Sequence, residues 1–132
     1  MIYRNIISVC LAALLIFPGF SSGQTGSGFK LIKSFKIKSN GGWDYISVNN
    51  RKVYVSHGIQ VNILDEQTGD SIGVIPNTTG VHGIAFVPEL HKGYTSNGRL
   101  NTVTVFDLQT NAVLKQIPVG GENPDAIFYD PF

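Results

Sequence analysis

Thiols, charges and catalytic signatures are all scarce in this chain. Its one cysteine, Cys10, lies in an N-terminal apolar run, so the rest of the chain has neither a disulfide framework nor a cysteine metal site. Charged residues make up 14% of the sequence and the formal net charge is +1. Such a balance gives no general attraction to nucleic acid or anionic lipid, which makes a nucleic-acid partner the weakest of the binding classes. No Gly-x-Ser-x-Gly, P-loop or dinucleotide fingerprint is present, and no His-x-His or His-x3-His pair supplies two metal ligands locally. Nothing here predicts a cofactor or a metal centre, and equivalent positions in separate repeats are expected to be too far apart for metal bonds of about 2 Å.

The N-terminal run, Ile6 to Phe17, is twelve residues without a charge. A membrane span takes about 20 apolar residues, so no stable span is expected. Arg4 precedes the run, Pro18 and Gly19 end it, and Ser21-Ser22-Gly23 offers the small residues that a signal peptidase reads. Residues 1–23 are therefore expected to be a signal peptide cleaved before Gln24, which implies a periplasmic or secreted protein. Without Arg4, nine basic and nine acidic residues balance.

Beyond a linker over residues 24–28, short apolar runs alternate with turn residues, and no segment of helical length keeps a 3.6-residue period. The pattern predicts an all-β chain. It also repeats. Val61-Asn62-Ile63-Leu64-Asp65 corresponds to Val103-Thr104-Val105-Phe106-Asp107 at an offset of 42 residues, and Val53-Tyr54-Val55-Ser56 to Gly93-Tyr94-Thr95-Ser96 at 40. Gly83-Ile84-Ala85-Phe86-Val87-Pro88 matches Ala126-Ile127-Phe128-Tyr129-Asp130-Pro131 at 43. A period near 40 built from four short strands is the signature of β-propeller blades.

Two such blades are expected, over residues 43–76 and 82–119, with a third beginning at residues 125–132. In the second, strands a to d fall at Gly83–Val87, Lys92–Ser96, Thr102–Asp107 and Val113–Val119. Residues 29–38 align with a strand d at an offset of 82 and have no strands a to c before them. They are expected to be an orphan strand that closes a ring, its partners supplied by a C-terminal segment beyond Phe132 or by another copy. The cluster Lys30, Lys33, Lys36 and Lys38 is expected on that exposed edge, where lysines discourage aggregation. Asp65 with Thr68, and Asp107 with Thr110, end the two c strands and are expected to organise turns, with Gly69 or Asn111 in the left-handed position.

The segments Lys52-Val53-Tyr54-Val55-Ser56, Val81-His82-Gly83-Ile84-Ala85-Phe86, Val105-Phe106-Asp107-Leu108-Gln109-Thr110 and Gly120-Gly121-Glu122-Asn123-Pro124-Asp125-Ala126 resemble the YVTN or YncE-like β-propeller family. The resemblance implies a ring of about seven four-stranded antiparallel blades, a bacterial exported protein, and surfaces that bind ligands or partners. It carries no single activity, and the fold is shared with lactonase-type propellers. Gly93 departs from the bulky residue usual in strand b, which is expected to weaken that strand.

In a four-stranded meander the residue leading into strand a and the b-to-c turn lie at the same end of the blade. Asp44, His82 and Asp125 hold equivalent positions in three successive repeats and are expected to line the mouth of the central channel. His57, Asn97 and Arg99 of the b-to-c turns are expected on the same face. His82 is suited to act as a base, a ligand or a donor to a bound anion, and equally to join neighbouring blades through hydrogen bonds. His91 is expected exposed at the opposite end, and Trp43 buried between blades. The leading functional expectation is a non-enzymatic scaffold binding a small ligand or protein partner; the alternative is a propeller-fold hydrolase or lactonase working at the same face.

Overall fold

The computed structural model describes residues 28–132; the expected signal peptide and most of the linker lie outside them. Residues 28–33 are the described part of a first unit and are exposed. Residues 34–132 form the second unit. Among the described residues no helix is long and apolar enough to cross a membrane.

The second unit is all-β. Strands β1 (Trp43–Asn49), β2 (Lys52–His57), β3 (Gln60–Asp65) and β4 (Ser71–Ile75) form one antiparallel meander. A second meander comprises β5 (Val81–Val87), β6 (Lys92–Asn97), β7 (Thr102–Asp107) and β8 (Val113–Pro118). The expected strands are found within one or two residues. Neither residues 29–38 nor residues 125–132 are assigned as strand. An extended segment becomes a strand only by pairing, and a lone edge is marginal in water.

Turn chemistry accounts for the hairpins. Asn50 and Arg51 both take positive φ, 45° and 61°, the conformation that a two-residue turn matched to strand twist requires. In the c-to-d turns, Asp65 Oδ1 accepts from the backbone N–H groups of Gln67 and Thr68 at 2.8 Å. Asp107 Oδ1 accepts equivalently from Gln109 at 2.9 Å and Thr110 at 2.7 Å. Gly69 and Asn111 follow with φ of 76° and 61°, in the left-handed position expected of them. The Thr68 and Thr110 backbone N–H bonds lead the causes that hold both carboxyls below the ordinary value of 3.8.

The core lies between the sheets. Tyr54, Val61, Ile63, Ile75, Val81, Ile84 and Phe106 are buried together, and β5 packs on β1 and β2. The Tyr54 ring lies 4.9 Å from Phe86 and 6.0 Å from Phe106, centre to centre, in tilted contacts favoured by ring quadrupoles. Ser47 Oγ donates to Ile84 O at 3.2 Å and Lys52 Nζ to Leu108 O at 3.1 Å, so polar bonds bind the blades where the apolar contact ends.

Gly93 does not simply weaken its strand. It pairs with Phe106, and a Cβ on Gly93 would stand 2.0 Å from Phe106 Cζ. The equivalent pair in the first sheet is Val53 with Leu64. One blade divides the space as medium and medium, the other as nothing and large, and both fill it.

Two expectations follow. Gly93→Val overpacks the sheet and costs about 1–3 kcal/mol in denaturant unfolding, whereas Gly93→Val with Phe106→Leu recovers most of that loss; additive losses would contradict the exchange. A carboxyl held below its unfolded value adds stability that is present above about pH 4 and is lost as pH falls through its folded value. Asp65→Asn and Asp107→Asn should therefore flatten the fall in melting temperature between about pH 4 and pH 2, and leave the slope above pH 5 unchanged.

Candidate functional site

Asp44 and His82 lie near the starts of β1 and β5, and an irregularity in each strand sets their direction. Along β1, Trp43 pairs with His57 and Ile46 with Val55, so one extra residue is accommodated between them. Along β5 the same slip falls between Val81, paired with Asn97, and Ile84, paired with Thr95. Asp44 and His82 are the first residues after Trp43 and Val81, inside these two bulges. A bulge bends its strand and re-aims a side chain away from regular alternation.

The carbonyl that follows each b strand in space is then fastened. Ser56 Oγ on β2 donates to His82 O, and Ser96 Oγ on β6 donates to Asp125 O. Ser96 Oγ also accepts from Gly83 N–H at 2.9 Å, and Gly83 N–H approaches Asp125 O at 3.3 Å. Each serine belongs to one repeat and holds the residue leading into the next. A glycine relay runs beside it: Gly80 N–H donates to Gly58 O and Gly98 N–H to Gly80 O, both at 2.7 Å.

The result is a convergence. His82 Nδ1 donates to Asp44 Oδ2 at 2.5 Å and stands 3.7 Å from Asp125 Oδ1. One ligand atom from each of the three lies within 4.8 Å of the others. The separation expected between equivalent positions of different blades is not found, because the bulges and serine bonds turn these side chains toward one another. The side chains are 28%, 39% and 64% exposed for His82, Asp44 and Asp125, so the cluster opens to solvent. Within residues 34–132, His82 is the only basic side chain within ion-pair distance of either aspartate.

His57 and Asn97 are at the same end but do not join it. His57 is buried; its Nε2 donates to Gly41 O at 2.7 Å and its Nδ1 faces Ser39 Oγ at 2.5 Å. A carbonyl can only accept, so Nε2 carries the proton and Nδ1 accepts from the serine, which occupies both ring nitrogens. Asn97 is buried too: its amide donates to Thr102 Oγ1 and Thr104 Oγ1 and its oxygen accepts from Thr95. Both residues were expected as ligand contacts and are internal braces instead, because each ends its b strand facing the sheet interior. Arg99 is exposed on the turn Gly98–Leu100, its stem against Gly80, and makes no ion pair among the described residues.

Trp43 is likewise not buried between blades. It is 54% exposed and lies flat on the His57 ring, with centroids 3.6 Å apart and planes 4° from parallel. His91 is exposed, as expected, in a left-handed position after the turn Pro88–Leu90. Asn123 escaped the sequence reading. A Cβ on Gly98 would stand 2.3 Å from Asn123 Oδ1 and 2.8 Å from His82 Nε2, so the amide and the far ring nitrogen border one small space. Its position two residues before Asp125 was the only signal.

Comparison with family models finds no match, and comparison with curated proteins finds none. Solved structures do match. The hydrazine synthase of Kuenenia stuttgartiensis superimposes with a TM-score of 0.64 at 22% identity, over 77% of this chain and 30% of that one. The apo form of AztD from Citrobacter koseri gives 0.55 at 17% identity, over 64% and 25%. The chain thus spans less than a third of the length of either. The two sheets are blades of the β-propeller type, the class that the meanders and the neighbours define.

The serine bonds are testable. Ser96→Ala removes a buried donor to Asp125 O and leaves Gly83 N–H with only its longer contact, at a cost of about 1–3 kcal/mol; Ser56→Ala, which removes a single bond, should cost less. Denaturant unfolding measures both, and equal losses would contradict the double role of Ser96.

Proposed function

We propose that the chain belongs to an exported β-propeller scaffold, related to the YVTN or YncE-like repeats, that binds a small polar ligand at the face formed by Asp44, His82 and Asp125. The observation that carries this reading is the convergence of three functional side chains from three equivalent positions, within 4.8 Å and open to solvent. Sites of this kind combine a few placed polar groups with a rigid surround, and the serine bonds supply the rigidity. Export is drawn from the N-terminal sequence and the ring from the repeat.

A hydrolase reading draws on one feature of the same site. The His82 to Asp44 contact is the orienting half of an acid–base pair, with Nδ1 bound by a carboxylate and Nε2 on the other edge of the ring.

Calorimetric and thermal-shift titration of the full chain with a panel of metal ions, small anions and polar metabolites should reveal a ligand whose binding is lost in His82→Ala. A panel in which nothing binds, or in which binding ignores His82, contradicts the scaffold reading at this face. Steady turnover of a lactone, abolished by the same substitution, would replace it with the hydrolase.

A further inference from the structure

The trio has more Lewis-basic atoms than protons to share. His82 Nδ1 can donate one hydrogen bond, and Asp44 Oδ2 takes it at 2.5 Å, while Asp125 Oδ1 waits 3.7 Å from the same nitrogen. Within residues 34–132, no lysine or arginine comes within ion-pair distance of either aspartate. Two carboxylates therefore face one imidazole nitrogen, which can donate a hydrogen bond to only one of them. A cation at their meeting point would satisfy all three groups at once.

The spacing suits a metal ion of a particular class. Bonds of about 2.0–2.1 Å at a tetrahedral angle separate neighbouring ligand atoms by roughly 3.3 Å. The 2.5 Å contact needs to open by less than 1 Å and the 3.7 Å contact to close by less than that, within the reach of small rotations in partly exposed side chains. The backbones need not move, since Ser56 and Ser96 already hold the carbonyls of His82 and Asp125. Imidazole suits first-row transition ions, whereas calcium and magnesium take oxygen ligands. Three protein ligands on the solvent side leave coordination positions open for water or an exogenous group.

We propose that Asp44, His82 and Asp125 form a binding site for a divalent first-row transition-metal ion, with His82 Nδ1 and one oxygen of each aspartate as ligands. This rests on the ligand-binding reading of the same face and names its ligand class. Metal binding at Nδ1 shifts the neutral His82 ring to its other tautomer: Nδ1 gives up its proton to solvent and Nε2 takes one up, with no net release.

Cobalt(II) is the probe, because its visible absorption and its paramagnetic shifts report the ligands directly. Titration of the chelator-treated full chain should give one equivalent of bound cobalt and one shifted imidazole N–H signal, from a ring coordinated through Nδ1. His82→Gln should remove that signal, Asp44→Asn and Asp125→Asn should each weaken binding by at least about tenfold, and His91→Ala should change nothing. Magnesium and calcium should not compete. Absence of cobalt binding, affinity unchanged in the three site variants, or equal binding of calcium would overturn the assignment. Should a variant fail to fold, as judged by circular dichroism, the imidazole signal of the unaltered chain still decides, and its absence counts against the site. A small organic ligand that binds through His82 where cobalt does not would refute the metal and leave the binding face standing.

Discussion

A single hydroxyl-to-carbonyl contact, repeated once per blade, sets how each sheet meets the next repeat. Ser56 and Ser96 sit at equivalent points of successive b strands, and each bonds the carbonyl of the residue that opens the following repeat. Apolar burial between the sheets supplies most of the attraction, but burial is non-directional and would tolerate sliding. The serine bond is directional and fixes where along its neighbour each sheet begins. Both serines are buried, so an unmade bond would leave a carbonyl and a hydroxyl without solvent to replace it.

That fixed register has a chemical product. His82 and Asp125, whose carbonyls are held, are also residues whose side chains turn toward the cluster, and His82, like Asp44, lies in a one-residue bulge of its strand. Backbone and side chain of one residue thus divide their tasks, the carbonyl fastening blades while the side chain is presented to solvent. His57 shows the alternative: with both ring nitrogens bound and Trp43 stacked over it, it braces the segment of Ser39 and Gly41.

Much of the fold was legible in the sequence. The repeat offsets placed eight strands, the aspartate turns and the left-handed Gly69 and Asn111 close to where they lie, since turn chemistry and short apolar runs are local properties. The convergence of Asp44, His82 and Asp125 was legible only as equivalence of position. Their closeness depends on bulges, and a bulge in these strands is marked by no glycine or proline that all share. His57 and Asn97 were misplaced because a strand's last residue can face either way, and the strand's end alone does not say which. Trp43 was misplaced by assuming that a large ring must seek the interior, when a buried imidazole offered it a flat partner at the surface. The expected closing strand over 29–38 shows a further limit, because pairing depends on what lies opposite and not on the segment itself.

The exchange of Val53 and Leu64 for Gly93 and Phe106 bears on how such repeats age. Copies of one ancestral unit can drift only along paths that keep each cross-strand volume filled, so substitutions accumulate as matched couples while either member alone is penalised. Two blades can then lose most of their likeness residue by residue and still present interchangeable surfaces to a neighbour. Shape is inherited here by the pair, and comparison of single positions will understate how closely the units are related.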